Sequence, residues 1–302
     1  MTINNKNNAG FTLLEVLISV LIIGIISSIT MMSNMGESKK QANFANVKTE
    51  WILNEGKYIS KLLGKWSFDE KSGTNVIDGS TYGRNGVLNG TVDSSTWKQE
   101  KDCILGGCLI FDGNTNYVEF KKVDITNKLT VSFWFNISSF TNTWQSLFYS
   151  VTGESLYPRG VVNSSTKLPW FQYRLDGITK SIISPDVIEP NTWYYYVGTI
   201  DTASGGKLYI NGEKKAENAD TGTLISGGVT NAYIGRDINL NSWMNGKIDE
   251  FSLYDEVMSI SEIEDNYMAG LDHLLAKGLI GKEEYMQKVS KFNNINNIAN
   301  KY

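Results

Sequence analysis

The side chains able to do chemistry in this 302-residue chain are few and unevenly placed. One histidine, His273, and two cysteines, Cys103 and Cys108, exclude a cysteine-rich zinc site and weaken any nucleophile–histidine pairing. The cysteines lie in "DCILGGC", with a Gly-Gly inside a very short loop. Outside the cytoplasm they could close a small stapled hairpin; the alternative is a pair of free, half-buried thiols. Trp97, Trp144, Trp170 and Trp243 fall in or near turns, where an exposed indole can stack on a sugar ring, although tryptophan also fills sandwich cores. A net charge of −4, with no basic stretch beyond Lys39-Lys40 or Lys214-Lys215, leaves no electrostatic footprint for nucleic acid. The oddest charge is Glu15, alone in an apolar run from Phe11 to Met32. A carboxylate within a membrane span costs roughly 2.5–3.5 kcal/mol even on gentle insertion scales.

The elements that must position these groups begin with that run. As a helix it would be roughly 33 Å long, enough to cross a hydrocarbon core of about 30 Å. The leader "MTINNKNNAG" is short and polar, and no clean small-residue cleavage site follows the apolar stretch, so an ordinary secretory signal is the weaker reading. Gly10 followed by "FTLLEVLISVLIIGII" resembles the prepilin signature of type IV pilins and type II secretion pseudopilins. The resemblance implies cleavage by a prepilin peptidase between Gly10 and Phe11 and N-methylation of Phe11. It also implies an assembly role for Glu15, facing the charged amino terminus of a neighbouring pilin subunit, where low dielectric strengthens the attraction. The alternative is a plain anchor with Glu15 near the interface. All four prolines lie between Pro158 and Pro190, so the helix-melting proline of many pilins is missing. Lys6 on one side of the span and Lys39-Lys40 on the other give a poor charge signal, and orientation comes from the family. Beyond the span, Phe44, Val47, Trp51, Tyr58 and Leu62 form an apolar helical stripe, with Gly64 as its stop.

From Lys65 the texture changes to short aromatic and β-branched runs separated by Gly, Asn, Asp and Ser, the pattern of an antiparallel sandwich or barrel. Asn211-Gly212 in "YINGEK" is a strong hairpin signal. In "LTVSFWFNI", Leu129, Val131, Phe133 and Phe135 alternate with Thr130, Ser132 and Trp134. The order of "WSFDEKSGTNVIDGS", "LIFDGNTNYVEF", "LTVSFWF", "NTWYYYVGTID", "GGKLYINGE", "AYIGRD" and "MNGKIDEFSLYDEVMS" resembles the LamG-like, concanavalin A-type jelly roll.

That resemblance implies a structural Ca²⁺ joining first and last strands, with Asp69 or Glu70, Asp78 and Asp249 as ligands. The alternative is that each is a solvated turn residue. Glucanases of this fold use an acid pair on one strand in a pattern like E-x-D-x-x-E. Here "GKIDEFSLYDE" has Asp249 and Glu250 but Lys247 where the first acid would stand, so an enzyme is disfavoured. Trp144 and Trp170 are the candidate ligand-stacking residues.

After the sandwich, Ser259 and Glu262 read as a capping box opening a helix with Ile260, Ile263, Tyr267, Leu271 and Leu274 on one face. A second helix carries Tyr285, Met286, Val289 and Phe292, and the Asn-rich end is predicted to fray.

The reading is mainly β: a leader at 1–10, a long helix at 11–63 with 11–32 transmembrane, a LamG-like β-sandwich at 64–257 and a helical tail at 258–302. Functionally it is a minor type IV pilin or pseudopilin displaying a domain that binds carbohydrate or a cell surface. Before processing its amino terminus is cytoplasmic in a single-pass membrane protein; afterwards it is part of an extracellular fibre. The alternative is a purely structural assembly subunit without a ligand.

Overall fold

Alternation of apolar and polar residues, broken by turn formers, builds two stacked sheets. The computed structural model describes residues 61–98, 100–123, 125–152, 158–224, 229–237 and 242–299. Gly10, Phe11, Glu15, the span 11–32 and the stripe residues Phe44, Val47, Trp51 and Tyr58 lie outside the described residues.

The strands come in chain order as β1 (Leu62–Trp66), β2 (Asn75–Val76), β3 (Gly86–Asn89), β4 (Trp97–Lys98), β5 (Cys108–Asp112) and β6 (Tyr117–Val123). Next are β7 (Lys128–Ile137), β8 (Trp144–Thr152), β9 (Arg159–Asn163), β10 (Pro169–Leu175), β11 (Ile178–Ile183) and β12 (Trp193–Asp201). Then follow β13 (Gly205–Ile210), β14 (Glu213–Asn218), β15 (Val229–Ile234), β16 (Arg236–Asp237), β17 (Ser242–Trp243) and β18 (Asn245–Tyr254). Two helices, α1 (Ile260–Ala276) and α2 (Lys282–Ala299), complete the described elements.

The first sheet runs β14-β13-β12-β7-β18-β5-β4, with β1 also on β18; the second runs β11-β10-β9-β8-β15-β6-β3-β2. A small ribbon, β16-β17, stands apart. Spatial neighbours are often distant in sequence, as β18 lying between β7 and β5 illustrates. Leu129, Val131, Phe133 and Phe135 point into the core between the sheets, as the alternation in β7 predicts. Phe133 stacks on Tyr196 at 4.8 Å and Phe251 at 5.3 Å, and Trp66 stacks across the core on Phe120 at 4.0 Å. Each such side chain contributes about 1.5–3 kcal/mol through removal of apolar surface from water. Asn211 and Gly212 have φ of 55° and 76°, the left-handed pair that a tight hairpin between β13 and β14 requires.

The outer face of the first sheet is also buried, because α1 packs on it. Ser259 caps α1 through the predicted box, accepting from the Glu262 amide at 3.3 Å while Glu262 Oε2 accepts from the Ser259 amide at 2.5 Å. Ile263, Tyr267, Leu271 and Leu274 are buried with Trp134, Trp193, Tyr195 and Tyr209 of the sheet. Trp134 stacks on Tyr267 at 5.8 Å, and a Cβ on Gly270 would stand 2.0 Å from the Trp134 ring. Among the described residues no helix is long and apolar enough to cross a membrane.

Several local expectations are corrected. The helix predicted to 63 does not reach that far: Leu62 opposes Tyr254 as the first residue of β1, so the sandwich begins there. Its four-residue step from Tyr58 imitates helical spacing. Gly64 is not a helix stop; a Cβ there would lie 2.4 Å from the Trp66 ring, so the glycine makes room for the indole. Ile260 is 55% exposed, since buried Met258 already fills the ground at the helix entrance. In α2, Tyr285 donates to Asp272 Oδ1 at 2.6 Å, Val289 is half-buried and Met286 is 54% exposed; the Phe292 side chain lies outside the description. The helix continues through the Asn-rich stretch to Ala299, each added residue closing another i→i−4 bond once the helix is nucleated.

Candidate functional site

The carboxylates singled out as metal ligands are spent on two separate pieces of local architecture. Asp78 is buried and accepts four hydrogen bonds: from the Lys65 and Ser80 amides at 2.9 Å each, the Ser80 hydroxyl at 2.7 Å and the Arg84 amide at 2.7 Å. Donors on every side organise a turn and leave that carboxylate no lone pair aimed at a cation. Glu70 Oε1 accepts from the Ile77 amide at 2.6 Å, and partial burial raises its pKa.

Asp69 and Asp249 act together on the "DCILGGC" loop. Cys103 and Cys108 form a disulfide with Cα atoms 5.5 Å apart. Asp249 Oδ2 accepts from the Ile104 amide at 2.7 Å and the Leu105 amide at 3.2 Å, and Asp69 accepts from the Gly107 amide. Lys277, just past α1, donates to the Cys103 carbonyl at 3.0 Å, tying the loop to the helix.

Glu250 is the extra residue of a bulge in β18, with a left-handed φ of 53°, and Lys65 of β1 meets it at 3.1 Å. Asp249 is fully buried, and desolvation followed by the neighbouring Glu250 charge pushes its pKa well above the ordinary value. The cation facing Glu250 is the Lys65 ammonium. Asp249 Oδ1 has no hydrogen-bond partner among the described residues, yet among those residues no group of three or more His, Cys, Asp or Glu side chains converges to hold a metal ion. The four proposed ligands do not fit a calcium site. Asp249 and Glu250, 0% and 5% exposed, also offer no accessible acid pair, and His273 is buried in α1.

The outer face of the second sheet has a different character. Among the described residues it is covered only in part, by the β16-β17 ribbon lying against β8. Ser146 opposes Val161, which opposes Trp170, which opposes Ile183, so these four form one row across β8, β9, β10 and β11. Trp144 stands two residues from Ser146 on the same face and meets Trp170 edge to face at 5.2 Å. Both indoles are partly exposed. The Trp170 indole N–H and the Ser146 hydroxyl are buried without a partner among the described residues. The structure thus brings together the two tryptophans that sequence singles out for stacking. Trp97 instead lies in the core, donating its indole N–H to the Gly73 carbonyl at 2.9 Å.

The adjoining row was not legible in sequence. Tyr149 opposes Arg159, Arg159 opposes Gln172 and Gln172 opposes Ser181. Arg159 donates to Gln172 Oε1 at 2.6 Å and to the buried Asp237 at 2.8 Å, and Gln172 donates to Ser181 at 2.6 Å. Toward β6, Tyr233 stacks on Tyr149 at 6.1 Å and lies 6.0 Å from Tyr117, itself 6.0 Å from Trp243. Arg236 sits over both Tyr117 and Trp243. Burial raises the Tyr233 pKa, so its phenol stays a neutral donor. A further cavity of about 170 Å³ beside α2 is lined by Lys215 and Lys291, but Asp186 and Glu213 answer their charges.

Two stacked antiparallel sheets, the second with a partly covered, aromatic-rich outer face, form a lectin-like sandwich. The chain belongs to the concanavalin A-like lectin/glucanases superfamily, whose family description matches residues 112–264, about half of the chain. A prokaryotic N-terminal methylation motif, the type IV pilin signal, matches residues 5–31. The protein therefore joins a pilin-type amino terminus to a lectin-like head. No curated protein matches it.

Similar solved structures include the receptor-binding domain of botulinum neurotoxin mosaic serotype C/D, with 16% identity over 70% of this chain and 52% of that one, at a TM-score of 0.56. Botulinum neurotoxin type C, whose cell entry is described as dependent on interaction with two ganglioside molecules, has 12% identity over 72% and 53%, at 0.54. The serotype DC binding domain in complex with rat synaptotagmin II has 11% identity over 70% and 52%, also at 0.54. This chain spans about half the length of these structures, and at such identities the likeness is one of fold.

Proposed function

We propose that this protein is a minor type IV pilin or pseudopilin whose head binds carbohydrate on the outer face of the second sheet. In this reading a prepilin peptidase cuts between Gly10 and Phe11, Phe11 is methylated, and Glu15 meets the terminal amine of a neighbouring subunit as the chain leaves the membrane for the fibre. The observation that carries the binding role is the Trp144–Trp170 pair, edge to face at 5.2 Å and partly exposed. Sugar rings present an axial C–H face to indoles and hydroxyls to nearby polar groups, so such a corner suits a saccharide better than a wholly apolar ligand. The ganglioside dependence of the type C toxin is a precedent for a receptor-binding role in a protein with a similar fold.

The test is binding of the full-length chain, in detergent, to arrayed neutral and acidic glycans. Trp170→Ala and Trp144→Ala should each weaken binding about tenfold or more while the melting temperature stays near that of wild type. A wild-type chain that binds no glycan yet enters fibres normally would favour the purely structural subunit instead.

A further inference from the structure

Arg159 and Arg236 stand on the same side of the molecule in contrasting states. Arg159 is answered by Asp237 at 2.8 Å and Gln172 at 2.6 Å. Arg236, one residue before Asp237, lies 4.4 Å from the Trp243 ring centroid and 4.8 Å from that of Tyr117. Among the described residues its buried Nε has no acceptor and no acidic side chain pairs with it. Aromatic rings satisfy the flat faces of a guanidinium and leave its in-plane N–H donors unused. Those donors form a planar fork that matches the two oxygens of a carboxylate. Around them Tyr117, Tyr233 and Trp243 are each partly exposed, which supplies ring faces beside the charge. Glu119, the cross-strand partner of Tyr233, places a carboxylate on the same face, and the Arg236 fork has to outweigh its repulsion of an incoming anion.

We infer that Arg236, Tyr117 and Trp243 form a subsite for the carboxylate of an acidic sugar, with the sugar ring against the aromatic side chains. The inference rests on the carbohydrate-binding reading of this face and adds the class of glycan it takes.

Polygalacturonate and its fully methyl-esterified form separate the two claims, since they share a backbone and differ in charge. The full-length chain in detergent should bind polygalacturonate about tenfold or more tighter than the ester, with a preference that shrinks as salt is raised. Arg236→Gln should weaken polygalacturonate far more than the ester and so abolish the preference; Arg236→Lys, which keeps the charge without the fork, should fall between. Trp170→Ala should weaken both polymers. An unaltered melting temperature of Arg236→Gln shows that the fold is intact. Equal binding of the two polymers by wild type, or an undiminished preference in Arg236→Gln, overturns the acidic subsite and leaves the carbohydrate reading standing. Binding to neither polymer nor to any neutral glycan removes both.

Discussion

Asp249 illustrates how a residue that sequence marks for one partner can meet another in the fold. Sequence places it on the last strand beside Glu250, where a calcium ligand would stand. In the folded protein it is fully buried and receives the amides of a disulfide loop, while Lys65 faces Glu250. Its folded pKa is raised, so its favourable contribution is complete below the unfolded value of about 3.9 and is lost as pH rises through the folded pKa. Asp249→Asn keeps an oxygen for the Ile104 and Leu105 amides and removes the titration. Its stability relative to wild type should therefore improve as pH rises above about 4 in urea denaturation series; parallel pH profiles would contradict the assignment. Wild-type melting midpoints should coincide in calcium and in EDTA, and a rise with calcium would mean that the carboxylates have been allotted wrongly. The Trp144–Trp170 pair was half legible at this scale: residue type marked both, but their contact depends on a register that pairs β8 with β9 and β9 with β10. Arg236 carried no mark at all, because its meaning lies in the lack of an acidic partner among the described residues, which only folding reveals.

Elements whose signals are local were legible. The alternation in β7, the Asn211-Gly212 hairpin and the Ser259–Glu262 capping box depend on neighbours within a few residues, and each is present. The start of β1 was not, because one apolar residue at helical spacing cannot be told from the first residue of a strand. Nor could sequence say where α1 docks. That is settled by Gly270 against Trp134, residues more than a hundred positions apart. In an exposed helix interior, Gly→Ala would stabilise by up to about 1 kcal/mol through propensity. At Gly270 the added methyl would stand 2.0 Å from the indole, so the sign reverses. Gly270→Ala should cost about 1–3 kcal/mol in urea denaturation, with Trp134 fluorescence changing as the helix lifts. A stabilised variant would mean that α1 does not press on the sheet. Loss of the Cys103–Cys108 closure should loosen the same contact, removing about 2 kcal/mol of loop-closure stabilisation.

Over the whole molecule, the chain carries a pilin-type amino terminus and a lectin-like domain, to which the proposed function assigns delivery and recognition. The matches at 5–31 and 112–264 fall on separate stretches, so the two roles can be tested apart. The domain covers the outer face of its first sheet with α1 and leaves Trp144, Trp170, Tyr117 and Trp243 on the second partly exposed, where the proposed ligand would sit. In the proposed reading delivery depends on Glu15, whose cost in the membrane would be offset when a cut before Phe11 gives a neighbour a free amine to meet it. The most direct test of a pilin that carries a displayed head is mass spectrometry of the protein recovered from the cell surface. The expected amino terminus is N-methylated Phe11; an intact Met1, or a terminus elsewhere in the chain, would contradict it.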